Sequence, residues 1–413
     1  MRRRVVVTGA GQVSPLADST DGLAAALRAG ASALSPIDLF ETAGLPCRQA
    51  CEVRGFDPAA TLGARNLRPI DRSGRLLLVA AARALEASGL DAEAGRARGV
   101  GLALGTTFCS VRTIAEFDRR SLELGPSHAS PLDFANCVIN AAAGQAAIWH
   151  GLSGVNATLA GGETSGLAAI AYAALAISAG RADVMLAGGV EELSFESFLG
   201  HLRAGRLCGA SDPQAGELPI PFDAKRNGFA LGEGAALLML EAREAAAARG
   251  APVLAELLGH GEAFDPSGTE EGLAAAVERA IAAALDDAGL APADVDCVFA
   301  SANGSVAGDR AEALGIARAL GARAAELPVA AIKAMLGEAL GASGGLQAIG
   351  LLATLADGLL PGIRGLERVE AGFPLGGATA ATRPVAARRG LVTAAGADGH
   401  AAALLLGGRE DVE

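Results

Sequence analysis

One tryptophan and one tyrosine in 413 residues leave no aromatic platform on which nucleic-acid bases could stack. Positive charge is also short. A formal net charge of −12 argues against direct binding to nucleic acid or to an anionic membrane surface. The six cysteines, Cys47, Cys51, Cys109, Cys137, Cys208 and Cys297, are scattered with no CxxC spacing, so neither structural zinc nor a disulfide framework is expected. No apolar run reaches the length of a membrane span, and the start MRRRVVVTGAG has no apolar stretch long enough for a signal sequence. The cytoplasm is the expected compartment. The five histidines have no metal-ligand spacing and read as solvated or core imidazoles.

What is abundant is small and apolar. Half the residues are hydrophobic, only 19% are charged, and 56 are glycine, a mixture suited to helices packed closely on sheets. Strand-like runs alternate with Ala/Leu-rich helical stretches, which predicts an α/β fold with mainly parallel strands. Val5–Thr8 reads as a first strand ending in a turn at Gly9-Ala10-Gly11. That glycine turn is only a faint match to a dinucleotide fingerprint, because the third glycine and a downstream acidic residue are missing. A strand–tight turn–helix unit occurs twice. Asn156–Ala160 runs through Gly161-Gly162-Glu163 into an apolar helix over 164–179, and Pro328–Ile332 runs through 333–345 into a helix over 346–356. Both helices are apolar nearly all round and should lie buried between layers. The repetition predicts a duplicated, five-layered α-β-α-β-α fold with halves at 1–250 and 251–413.

The turn after Val155 has the geometry of a nucleophile elbow: a buried strand, a glycine turn, and one residue opening a buried helix whose N-terminus favours negative charge. That residue is Glu163.

Several stretches together resemble the β-ketoacyl-carrier-protein synthases of the thiolase-like superfamily. They are VVVTGAGQVSPLA near the start, GLALGTT at 101–107, SPLDFANCVINAAAGQAAIWHGLSGVNATLAGGETSG at 130–166 and ADVMLAGGVEELS at 182–194. PFDAKRNGFALGEGAALLMLE at 221–241, IKAMLGEALGASGG at 332–345 and GLVTAAGADGHAAALLL at 390–406 complete the set in the family's order. The resemblance implies the thiolase-like fold and, at the elbow, a cysteine whose thiolate performs acyl transfer. Here Glu163 stands in its place. It also implies two histidines that donate to the thioester oxygen and assist decarboxylation. Asn303 matches one, within ASANGSVAG, and Glu338 the other. An asparagine keeps a donor; an ionised glutamate only accepts. The gating phenylalanine is matched by Ala397 and the following glycine by Asp398. Ala307 replaces one of two hydroxyl residues that help hold the phosphopantetheine arm, while Ser305 keeps the other. Of the charged catalytic positions only Lys333 survives. With Glu163 and Glu338 it is expected to form a charge cluster facing the cleft, Lys333 neutralising one glutamate and helix-terminal amides solvating Glu163.

Family subunits dimerise through the strand matched by Val155–Ala160, and the neighbouring 130–140 segment reaches toward the partner's acyl tunnel. Asp133, Asn136, Cys137 and Asn140 are therefore candidates for the interface and the partner's tunnel wall, or else ordinary interface polar groups. Phe108 matches an acyl-pocket residue; its bulk plugs this subunit's own tunnel, or it is plain core. What the resemblance implies is a non-catalytic chain length factor of type II polyketide, aryl-polyene or fatty-acyl synthesis, although the elbow residue of such subunits is commonly glutamine. Its partners would be a cysteine-bearing ketosynthase in a heterodimer and an acyl carrier protein. It would carry no cofactor of its own, the acyl-phosphopantetheine being bound mainly by the partner. Two other readings stay open: a malonyl-carrier-protein decarboxylase or other acyl-thioester enzyme using Glu163, and a homodimeric acyl-binding scaffold.

Overall fold

The computed structural model describes residues 2–90, 99–212 and 216–409. Ten strands form one sheet: β1 Val5–Val13, β2 Gly101–Gly105, β3 Asn156–Leu159, β4 Val184–Glu191, β5 Gly234–Ala242, β6 Ala255–Phe264, β7 Cys297–Phe299, β8 Val329–Ala330, β9 Arg389–Ala395 and β10 His400–Gly407. Their order is β8-β7-β9-β10-β6-β1-β5-β4-β2-β3. The two sides of the sheet meet where Val5–Val7 of β1 pairs with Ala255–Leu257 of β6.

Seven helices of ten or more residues accompany it among the described residues: α1 Arg72–Ala87, α2 Val111–Leu124, α3 Ala141–His150, α4 Ser165–Ser178, α5 Glu270–Ala288, α6 Val306–Leu320 and α7 Ser343–Asp357. Helices α1 and α3 pack on the outer face of the β1–β5 side, and α5, backed by α6, on the outer face of the other. Between the two sides lie α4 and α7. Their apolar residues, including Leu167, Ile170, Leu346 and Leu351, form one core with both inner sheet faces. This is the thiolase-like five-layered arrangement, and both middle helices are buried as their all-round apolar sequence requires.

Two expectations are corrected. The sheet is mixed, not mainly parallel. Pairs β1/β5, β1/β6, β4/β5, β6/β10 and β9/β10 are antiparallel, and only β2/β3, β2/β4, β7/β8 and β7/β9 are parallel. A strand covered by helices on both faces reads as a continuous apolar run whichever way it points, so composition does not encode direction. Gly9-Ala10-Gly11 is not a turn either: β1 runs through it to Val13 with an irregularity between Val7 and Gly9.

The glycines there serve packing. A Cβ on Gly11 would lie 2.2 Å from the carbonyl oxygen of Ala80, so α1 crosses β1 backbone to backbone. Gly11→Ala is expected to cost roughly 1–3 kcal/mol by overpacking, measured by chemical denaturation. A loss below about 0.5 kcal/mol would mean that α1 shifts freely.

Candidate functional site

Strand β3 ends beside β2, and the chain turns through Gly161 and a single 3-10 turn, Gly162–Thr164, before α4 begins. Gly162 has φ +64°, a left-handed conformation that suits glycine. Local hydrogen bonds fix the turn. Gly161 N donates to Ser165 Oγ at 2.8 Å, Thr164 Oγ1 to Gly161 O at 2.9 Å, and Thr107 Oγ1 to Gly162 O at 3.0 Å. Glu163 emerges from it buried, at 7% exposure.

Its carboxylate is not held by helix-terminal amides, as the sequence suggested. Oε1 accepts from Arg206 Nη2 at 2.6 Å. A turn of the glycine elbow carries the side chain away from its own amides and toward the segment that follows residue 203. The Arg206 guanidinium lies 5.2 Å over the Phe229 ring and donates toward His201 Nδ1 at 3.3 Å. His201 in turn meets the rings of Phe229 and Phe108 edge-on, at 5.5 and 6.2 Å. Burial, and then the Arg206 charge, lower the His201 pKa to about 4, so the imidazole is neutral. Phe108 is 39% exposed and so is not a core residue; it is the outer end of this aromatic stack. Arg206 and His201 lie outside the motifs of the sequence, and Phe229 stands within the 221–241 stretch with no role assigned to it.

Removing Arg206 leaves the Glu163 carboxylate buried without its donor. Arg206→Ala is therefore expected to destabilise by about 1–3 kcal/mol in urea titration, and Glu163→Gln to offset part of that loss in the double variant.

The second charged pair lies deeper. Lys333 Nζ donates to Glu338 Oε2 at 2.8 Å and to Ser301 Oγ at 2.9 Å. Glu338 further accepts from Asn303 Nδ2 at 2.8 Å, Ser343 Oγ at 2.7 Å and Leu340 N at 3.0 Å. Burial opposes ionisation of Glu338, but the Lys333 charge and these donors outweigh it and hold its pKa below the ordinary carboxylate value. Asn303 is thus turned toward Glu338, while its Oδ1 accepts from Ser305 N at 3.0 Å.

A cavity of about 150 Å³ opens beside the elbow, lined among others by Glu163, Arg206, Asn303, Ser305, Ala307 and Ala397. Lys333 and Glu338 do not line it, which corrects the picture of two glutamates and a lysine facing one cleft: the four donors around Glu338 draw it behind the wall. Ser305 Oγ is the N-cap of α6, accepting from Gly308 N at 3.2 Å. Asp398 is exposed; it lies against Gly162 and accepts from His400 Nδ1 at 3.0 Å. None of the six cysteines lines the cavity, and burial raises the Cys51, Cys109 and Cys297 thiols to about 12. The arrangement offers no thiol and places an ion pair at the elbow.

Outside the cavity, β3 is the terminal strand of the sheet and pairs only with β2 among the described residues. Helix α2 has no buried residue, and Leu122, Leu132, Phe134, Val138 and Ile139 are exposed. Asp133 lies 3.7 Å from Arg120, Cys137 Sγ donates to Asp133 O at 3.3 Å, and Asn140 is exposed at the start of α3. Asn136 departs from its expected place facing a partner. It is buried, donates to Pro69 O at 2.8 Å and accepts from Gln145, because its carboxamide ties the segment to its own chain. No helix among the described residues is long and apolar enough to cross a membrane, and no group of three or more His, Cys, Asp or Glu there could hold a metal ion.

Comparison with known proteins gives the family. The beta-ketoacyl synthase N-terminal domain model matches residues 2–246 and its C-terminal domain model residues 254–367. A 3-oxoacyl-(acyl-carrier-protein) synthase 2 of Coxiella burnetii is 34% identical over 380 residues, 91% of each chain. The solved ishigamide ketosynthase/chain length factor superposes with a TM-score of 0.92 at 29% identity, covering 99% of this chain and 100% of that one. A type II polyketide ketosynthase solved with its acyl-carrier protein and bound to the hexaketide gives 0.89 at 25% identity, with 99% and 100% coverage. This chain belongs to the beta-ketoacyl synthase family.

Proposed function

We propose that this chain is the non-catalytic, chain-length-factor-like subunit of a heterodimeric β-ketoacyl synthase, pairing with a cysteine-bearing ketosynthase and shaping the tunnel in which the partner's acyl chain grows. One observation carries the reading: at the elbow, where acyl transfer needs a thiolate, the Glu163 carboxylate is bonded to Arg206. Two further substitutions point the same way, since Asn303 and Lys333 both donate to Glu338 inside the wall and no histidine faces the cavity. The likeness to a ketosynthase/chain length factor supports the pairing, and the unpaired edge of β3 with the exposed apolar residues of 122–139 supplies a surface for it. An acyl carrier protein is the source of substrate in this reading. A decarboxylase using Glu163 is less well supported, because a carboxylate engaged by Arg206 is not free to act on a malonyl group.

The test is co-expression with a ketosynthase that has an intact cysteine and its carrier protein, followed by sizing and mass analysis of carrier-bound products. A 1:1 complex whose product length changes on Phe108→Ala or Asn140→Ala is expected. Elongation or decarboxylation of malonyl-carrier protein by this chain alone would overturn the proposal.

A further inference from the structure

A second cavity, of about 400 Å³, is lined by the first residues of α1 and α2. It shares no lining residue with the cavity beside the elbow, and its volume is that of a small-molecule site, about 300–1,000 Å³. Most of its charges are matched. Arg72 donates to Glu233 at 2.7 Å, and Arg120 lies 2.8 Å from Glu116 and 3.7 Å from Asp133. Two cations are not. Arg75 donates to Leu67 O at 3.1 Å and has no carboxylate within ion-pair reach among the described residues. The exposed Arg112 guanidinium has neither a hydrogen-bond nor an ion-pair partner there.

The remaining carboxyls are Asp71, which accepts from Gly74 N at 2.9 Å, and Glu192. Glu192 is 3% exposed. Its Oε1 accepts from Arg112 N at 3.3 Å, in a first turn of α2 that holds no acidic residue and no side-chain cap. Its Oε2 has no partner among the described residues. Oε2 of Glu312 is also unpartnered but closed to solvent, whereas that of Glu192 is open to the cavity. Unmatched guanidiniums at a helix N-terminus favour an anion, and a buried carboxyl beside them is able to stay neutral and donate to it.

We infer that this cavity binds a small organic carboxylate, its head held by the Arg112 guanidinium and Glu192 Oε2 and its apolar body against Phe56, Pro58 and Ile70. Arg75 adds positive charge to the site. The inference goes beyond the chain-length-factor reading and concerns other residues, so its failure leaves that reading untouched.

The pH dependence follows from what faces Glu192. Burial raises its pKa to about 8; the Asp71 and Glu233 charges add to the rise, and the Arg112 amide and charge oppose it. Arg72, Arg75, Glu116, Arg120 and Asp133 are the other charged groups of the lining. Below pH 8 the carboxyl holds its proton and donates it to the ligand; above pH 8 it ionises and repels. A free carboxylic acid, titrating near ~4.3 as Glu does, stays ionised throughout. Affinity should therefore fall about tenfold between pH 7 and pH 9.

The experiment is calorimetric titration of the purified full-length chain at both pH values with benzoate, benzamide, benzylammonium and inorganic phosphate. Saturable binding of benzoate alone, weaker at pH 9, is expected. Arg112→Gln alters an exposed side chain that supports no contact, and should weaken binding at least about tenfold at pH 7. Glu192→Gln keeps a donor but cannot ionise, so it should bind at pH 7 nearly as the wild type does and lose the pH dependence. No saturable binding at pH 7, an equal response to benzamide or phosphate, undiminished affinity in Arg112→Gln, or a pH dependence that survives Glu192→Gln would overturn the inference.

Discussion

Glu338→Ala is expected to lower the stability of the folded chain by about 3–5 kcal/mol, seen as a large drop in the urea midpoint. The Glu338 side chain is fully buried and that of Lys333 is 2% exposed, so neither can turn to water when the other is removed. Deleting the carboxylate strands the Lys333 ammonium and also the donors of Asn303, Ser343 and Leu340. Removing both charges should be milder. Lys333→Met with Glu338→Leu is expected to recover much of the loss, because two well-packed apolar side chains carry no desolvation penalty. Glu338→Gln should fall between, keeping acceptors for Asn303 and Ser343 but not the charge. A Glu338→Ala chain within about 1 kcal/mol of the wild type would show that Lys333 finds another partner, the orphaned oxygen of Glu312 being the nearest candidate.

The second large effect is chemical. In the proposed complex, replacing the partner ketosynthase's nucleophilic cysteine by alanine should cut product formation by roughly 10⁴ or more, and Glu163→Cys in this chain should not restore it. A sulfur at residue 163 would stand at the start of α4, and the helix N-terminus and Arg206 would both favour its thiolate. Such a thiolate is able to take an acyl group, but condensation needs donors aimed at the thioester oxygen, each worth roughly 10²–10³ in rate. The Asn303 amide points to Glu338, and Glu338 itself is held ionised by Lys333, so it accepts and cannot donate. Turnover by the Glu163→Cys complex within tenfold of the normal rate would sink this account, whereas a silent variant that folds and pairs normally supports it.

Much of the fold could be read along the chain. Both strand–turn–helix units stand where the apolar runs and glycines put them, with α4 and α7 buried between the sheet faces. The absence of a sulfur at residue 163 and of a histidine at 303 and 338 is likewise a matter of residue identity. Strand direction was not legible, because Val, Leu and Ala runs covered on both faces look alike in parallel and antiparallel neighbours. Nor was the role of Gly9 and Gly11, since a glycine pair marks a tight turn and a close helix crossing equally well.

The site divides in the same way. That residue 163 opens a buried helix as a carboxylate follows from the sequence alone, and so does the chemistry it forgoes. Which cation neutralises it was decided by the fold: Arg206 lies 43 positions away on a segment with no motif, brought close by packing around Phe229. The same holds for Glu338, drawn off the cavity by donors from three separate segments, and for Glu312, left without a counter-charge because Lys333 turned elsewhere. Residue identity sets what a group is able to donate or accept; long-range packing sets which partner it meets, and local sequence patterns carry no record of contacts made across the layers.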